Sequence, residues 1–278
     1  MLSTCMQGQT GPASKHLGHG GTLTSLAGLN YITGWPDRAP SGINGPYTDC
    51  IAPLFNALSL IAAIDYRRRT GKGQYLDLSQ YECSLQLLAP LILDYTVNKR
   101  ELNRRGNSCS YAAPHGVYRC QGEDRWCAIA IFTDEEWRGF CGVLGNPTWT
   151  TEPKFATILG RVNNAPGLDR LVEAWTISHS AEEVMVLLQE AGVAAGVVET
   201  GADLWNDPQL KHRNSICELE HPEIGTCVCQ RVGVTLPEVP YELRRPPLLG
   251  EHTERILQRV LNMPDDKFVE LFSEGVFE

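Results

Sequence analysis

The sequence predicts an α/β protein in two parts, and three stretches carry that prediction. Residues 51–64 are apolar on nearly every side, interrupted only by Pro53, Asn56 and Ser59. Such a helix has no wet face and belongs inside a core. Residues 74–79 then alternate polar and apolar side chains, the pattern of a half-buried strand. Further on, residues 116–120 and 126–131 are β-like runs joined by the turn Gln121-Gly122-Glu123-Asp124. Amphipathic helices follow at 168–175 and 182–191, and hairpin plus helices predict a small α+β domain.

Taken in order, residues 2–6 have the composition of a short strand, and the glycine-rich stretch 8–21 predicts a loop. Leu23, Leu26, Ala27 and Tyr31 share one face of a helix over 22–31. Within the loop, Gly20-Gly21 is a weak candidate for a phosphate-binding nest, and His19 is most simply a loop residue. A second loop over 34–47 leads to Asp49, which stands where a turn becomes a helix. Arg67, Arg68 and Arg69 place cations on that helix's last turn, and Gly71 and Gly73 supply its stop. The spacing does not match a Walker A phosphate loop.

Residues 82–97 predict another apolar helix, bent at Pro90. Residues 98–110 are polar and basic, as in a linker. Thr133 caps a helix reaching Cys141, with Asp134, Glu135 and Glu136 in its first turn. Asp134 is read there first as a first-turn acid, with a place facing the active site as the alternative. Ser180 caps the helix at 182–191, and a strand at 194–198 and a short helix at 202–205 come next. The pattern is β-like again from 216 and proline-rich over 237–247. The final helices are predicted at 254–261, opened by Gly250-Glu251-His252-Thr253, and at 265–272.

The 278 residues suffice for a sizeable core and for two domains. A net charge of −9 argues against nucleic acid as a partner. The ten cysteines are scattered, contain no C-x-x-C pair and give no metal-ligand spacing. A reducing, cytoplasmic setting is expected, with no metal. The first residues lack the basic and apolar regions of a secretory signal, and the 51–64 run is too short for a membrane span.

Asp49 carries the functional question. Asp at a helix start is foremost a cap, its carboxylate accepting free backbone N–H groups. The same positive field can hold an ionised carboxylate as a nucleophile. Asp49, the buried run after it and the turn from Arg67 to Gln74 together resemble the class III CoA-transferases. Gly8-Gln9-Thr10-Gly11-Pro12, Ala27-Gly28, Thr33-Gly34, Pro114-His115-Gly116-Val117-Tyr118 and residues 247–253 match in family order.

The resemblance implies a partial Rossmann-like large domain over 1–117, an inserted small α+β domain over 118–225, and a return segment over 226–278. It implies that an α/β segment of the family, holding much of the CoA pocket, is missing before Met1. It assigns to Asp49 attack on an acyl-CoA thioester, and to His19, Gly20, Tyr111, Ala112 and His115 contact with substrate or CoA. Residues 110–115 match a loop over the active site and are candidate donors to an oxyanion. The CoA thioester is the substrate, and no resident cofactor is expected. The family's assembly is an interlocked homodimer, with a heteromer of related subunits as the other expectation.

Related transferases place an acid at the position of Gly20, and α-methylacyl-CoA racemases read His-Asp where this chain has His19-Gly20. The racemase reading stays open beside transfer, as does a non-catalytic partner subunit.

Overall fold

The computed structural model describes residues 1–43, 45–235, 238 and 242–277. The chain divides into two compact units, Met1–Val198 and Glu199–Glu278.

The first unit opens on strand β1 (Leu2–Cys5), which pairs in parallel with β2 (Leu76–Ser79), Leu2 opposite Leu76 and Cys5 opposite Ser79. Parallel neighbours need a long crossover, and here three helices supply it: α1 (Gly20–Leu26), α2 (Leu29–Ile32) and α3 (Tyr47–Thr70). The single helix expected over 22–31 is two. Gly28 sits between them at φ 86°, a left-handed conformation that glycine adopts without strain.

Helix α3 runs for 24 residues and stops at Gly71, also left-handed, whose N–H donates to Arg67 O. The cations and glycines there act as the sequence predicts. Its burial does not. Only Thr48, Ile51 and Ala52 are buried, while Leu54, Leu58 and Ile61 are 70%, 66% and 67% exposed. Its neighbours α1, β2 and the helix that follows β2 do not cover the later turns, so the apolar run lies largely open rather than in a core. Running on through Tyr66 and Arg69, α3 is also long and apolar enough to cross a membrane by length and composition. That corrects the estimate made from the shorter run.

After β2, Ser79 Oγ accepts from Glu82 N and opens α4 (Gln80–Leu87), and α5 (Ala89–Asn98) follows. The expected bent helix over 82–97 is again two. Pro90 lies in the first turn of α5, where its missing N–H costs nothing.

The rest of the first unit is a three-stranded antiparallel sheet in the order β3 (His115–Arg119), β4 (Trp126–Ala130), β5 (Ala194–Val197). Tyr118, Cys127 and Ile129 point inward while Val117 and Ala128 point out, the period-two alternation of a half-buried sheet. Helices α6 (Asp134–Val143), α7 (Ile158–Asn163), α8 (Ala165–Thr176) and α9 (Ala181–Glu190) accompany it. Phe140, Phe155, Leu168, Val172, Val184 and Leu188 form the centre of their core. Thr133 with Glu136 and Ser180 with Glu183 make reciprocal capping boxes that start α6 and α9.

The second unit holds α10 (Gly201–Asn206), α11 (Pro208–His212), the hairpin β6 (Ile216–His221) and β7 (Gly225–Gln230), and α12 (Asp265–Ser273). The helix expected over 254–261 is a π-helical segment, Arg255–Val260. Glu251 accepts from Arg245 and from Leu248 N, which holds its carboxyl down at about 2. Part of the proline-rich stretch 237–247 lies outside the described residues.

Candidate active site

The sequence places Asp49 at a helix start, and the structure sets it in the first turn of α3 rather than at the cap. Pro46 is the N-cap, and Asp49 N donates to Pro46 O at 2.9 Å. The Asp49 carboxylate is exposed and accepts no hydrogen bond among the described residues, so it is not satisfying the helix's orphan donors. It still lies where the helix field favours negative charge.

Gly20 lies beside this carboxylate. A Cβ at Gly20 would fall 2.3 Å from Asp49 Oδ2, 2.8 Å from Asp49 Cγ and 2.3 Å from Pro46 Cβ. The carboxylate therefore occupies the space a side chain at position 20 would need. Gly20 is fixed in turn, since its carbonyl accepts from Thr24 Oγ1 at 2.7 Å and from Thr48 Oγ1 at 3.4 Å. The absence of an acid at position 20 thus has a steric counterpart. In this arrangement no side chain fits there unless Asp49 moves.

His19 is not a loop residue but the cap of α1. Its Nδ1 accepts from Gly21 N at 3.1 Å, and its own N–H donates to Thr22 Oγ1 at 2.9 Å. Gly20 and Gly21 are consequently the first helical residues of α1.

Tyr111, Ala112 and His115 form a second group. Ala113 N donates to Ile131 O, and Ile131 N donates to Pro114 O, so the end of the loop is stitched onto the chain leaving β4. The Ala113–Pro114 bond is cis. Tyr111 and His115 both approach Phe132, with ring centroids 6.3 and 6.0 Å away. His115 Nδ1 lies 2.7 Å from Asn107 O, and because a carbonyl only accepts, that nitrogen carries the proton. Ala112 is 2% exposed, yet its N–H has no partner among the described residues.

Cavities adjoin this group on two sides. One of about 520 Å³ is lined by His115, Asn107, Val117, Ala128 and Gly196. Another of about 800 Å³ is lined by Ser110, Tyr111, Arg105, Leu91 and Ile32. Asp49 shares no hydrogen bond or ring contact with Tyr111, Ala112 or His115 among the described residues. Gly20 lies beside Asp49, and Tyr111 and His115 lie beside Phe132. No cluster of metal-ligating side chains occurs among the described residues.

Two features beside the loop were not singled out in the sequence. Arg161 is wholly buried and donates to Ala113 O, Phe155 O and Asp134 Oδ1. Asp134 is a first-turn acid, as expected, but its partner could not be read from α6 alone. The available signal was Arg161 itself, a cation among Ile158, Leu159 and Val162. The second is Tyr118, whose hydroxyl donates to Asp169 Oδ1 at 2.7 Å. Burial pushes both groups upward, the Asp169 carboxyl with help from Glu173 and the Tyr118 phenol with help from Asp169.

Across residues 1–253 the sequence matches the family described as CoA-transferase family III. It is 32% identical over 270 residues to succinyl-CoA–D-citramalate CoA-transferase of Chloroflexus aurantiacus, covering 97% of this chain and 67% of that protein. It is 26% identical over 277 residues to the human succinyl-CoA:glutarate CoA-transferase, covering 98% of this chain and 62% of that one. The chain therefore spans about two thirds of the length of these relatives. A crystal structure of a CAIB/BAIF family protein from Brucella suis superposes with a TM-score of 0.83 at 27% identity, covering 93% of this chain and 67% of its own. Fold and sequence agree: the chain belongs to CoA-transferase family III.

Proposed function

We propose that this chain carries CoA from an acyl-CoA to a carboxylic acid through a covalent intermediate on Asp49. The observation that carries the reading is the Asp49 carboxylate itself. It is exposed, accepts no hydrogen bond among the described residues, is set in the first turn of α3, and occupies the space a side chain at Gly20 would need. A carboxylate engaged by neighbouring donors would be a weaker nucleophile, and none among the described residues engages this one.

Asp49 attacks the thioester carbonyl. The C–S bond breaks, CoA leaves as thiolate, and a mixed anhydride remains. The thiolate attacks the aspartyl carbonyl, releases the donor acid and leaves CoA on Asp49 as a thioester. The acceptor carboxylate attacks that thioester, and the returning thiolate then takes the acceptor acyl group from the anhydride, regenerating Asp49. Each step exchanges one acyl leaving group for another and needs no water. The tetrahedral oxyanions call for preorganised donors, and the loop over 110–115 is the candidate to supply them.

The relatives named above act on succinyl-CoA with citramalate or glutarate, so dicarboxylic acids are the proposed substrate class. Other relatives are α and β subunits of a succinyl-CoA–L-malate CoA-transferase, which supports assembly as a heteromer beside a homodimer. Gly20, with no acid beside His19, weighs against racemisation.

Incubation with succinyl-CoA, trapping with hydroxylamine and peptide mass mapping should place the label on Asp49. Asp49→Ala should abolish transfer while costing about 0.3–1 kcal/mol of stability, the worth of a first-turn acid. A label elsewhere, or transfer by Asp49→Ala, overturns the reading.

A further inference from the structure

The hairpin of the second unit carries three thiols on one face. Side chains alternate across a strand, so Cys217 and Leu219 of β6 share a face, as do Cys227 and Cys229 of β7. The register sets Cys217 directly opposite Cys229 and Leu219 directly opposite Cys227, which puts the three cysteines on the same side. All three are free and half-buried. The Cys229 thiol is raised above its ordinary value, first by desolvation, then by the charge of Cys227, a hydrogen bond with it, and the charge of Cys217. The three sulfurs therefore sense one another, and ionising them side by side is unfavourable.

Residues directly opposite on antiparallel strands have Cα atoms about 4.5–5.5 Å apart. That lies inside the window of about 4.4–6.8 Å that a disulfide spans. Cys227 and Cys229, two apart on one strand, have parallel side chains about 6.6–6.8 Å apart, too far for their β-carbons to be bridged. Cys217 and Cys227 are diagonal neighbours, at about 7–8 Å. Geometry thus singles out one pair. Cys120 and Cys127 also interact, but at 1% and 0% exposure they are closed to a dissolved reagent.

We propose that Cys217 and Cys229 form a reversible dithiol site that reacts with a low-molecular-weight disulfide and closes as a cross-strand bridge. One thiolate of the pair attacks a sulfur of the reagent, forms a mixed disulfide and expels the first thiolate. The facing thiolate then attacks the protein sulfur of that bond and expels the second. The pair loses two electrons and two protons, and the reagent leaves as two thiols. Closing the bridge draws the β-carbons from about 4.5–5.5 Å to about 3.8 Å. A bridge strained in this way is readily reduced, so it opens again in a reducing thiol pool. The site lies in the second unit and does not depend on the Asp49 reading.

The test equilibrates the folded chain with glutathione buffers from fully reduced to fully oxidised. Acid quenching, alkylation in denaturant and peptide mass mapping then locate every thiol and bridge. Oxidation should leave two fewer alkylatable thiols than the ten of the reduced chain, with Cys217 joined to Cys229. Dithiothreitol should restore both. Cys227→Ser should form the same bridge with a yield within about twofold of the parent. Cys217→Ser should stop at the glutathione mixed disulfide on Cys229, and Cys229→Ser at that on Cys217, each about tenfold or more above the parent. A parent that keeps all its thiols in every buffer overturns the inference, and so do mixed disulfides without a bridge. A bridge between Cys227 and Cys229, in the parent or in Cys217→Ser, overturns it equally.

Discussion

The two halves of the first unit are built on opposite terms. Around β3, β4 and β5 the chain closes a core of its own, with Phe140, Phe155, Leu168, Val172, Val184 and Leu188 all at 0% exposure. Around β1 and β2, the 24-residue α3 buries three side chains and α5 buries none. The dense half holds the loop over 110–115 in place; the open half carries Asp49. The nucleophile candidate thus sits at the well-packed start of a helix that is otherwise largely open, while the loop over 110–115 joins a finished core through Ala113. The loop is supported by its own half, while beside Asp49 the described residues place Pro46 and Gly20, whose carbonyl accepts from Thr48 Oγ1.

The contrast can be broken most directly by truncation. Phe155→Ala, at the centre of the dense core, should cost about 3–5 kcal/mol. Leu58→Ala on the open face of α3 should stay within about 0.5 kcal/mol. Urea unfolding of both variants checks the pair. A large loss at Leu58 would mean that the α3 face is covered in the protein in solution.

How far the sequence could be read follows the same division. In the dense half the strands, the capping boxes at Thr133 and Ser180, and the helices behind them all emerge from local pattern. Period-two and period-3.6 hydrophobicity there reflects burial against residues of the same half. In the open half, periodicity identified α3 but misjudged its environment, because an all-apolar helix does not say who covers it. Gly28 and Pro90 were each read as sitting inside or bending one helix, and each instead separates or opens two. Asp49 was found, but as a cap, since Pro46 as N-cap has no side-chain signal. Its contact with Gly20 and the Arg161–Asp134 pair join residues 29 and 27 positions apart, and no local pattern encodes them.

Gly20→Ala tests the weaker support. The added methyl would meet Asp49 Oδ2 and Pro46 Cβ at 2.3 Å. Overpacking of this kind costs about 1–3 kcal/mol. Labelling of Asp49 should fall much further than stability, because the carboxylate is the group that must move. Equal labelling rates in parent and variant would show that the Gly20 contact does not place Asp49.

The smallest expected effect separates the halves by the sign of their pH response. In the open half, hydrogen bonds from Arg100 and Asn98 hold Asp94 below its ordinary range. Its contribution is present above the unfolded value of 3.8 and fades as pH falls. In the dense half, burial raises Asp169 above the same value, opposed by the Tyr118 hydrogen bond. There the unfolded chain ionises first. Full stability is kept below 3.8 and lost as pH rises through the folded value. Asp169→Asn keeps an oxygen to accept from Tyr118 and cannot ionise. It should match the parent in acid and exceed it increasingly as pH rises, levelling off once the folded Asp169 is charged. Because Asp169 is partly exposed, solvent screens much of the effect. Urea midpoints of both proteins across this range give the measurement. A parent more stable than Asp169→Asn at neutral pH would mean that the ionised carboxylate is welcomed by its surroundings, and the opposite signs of the two halves would be gone.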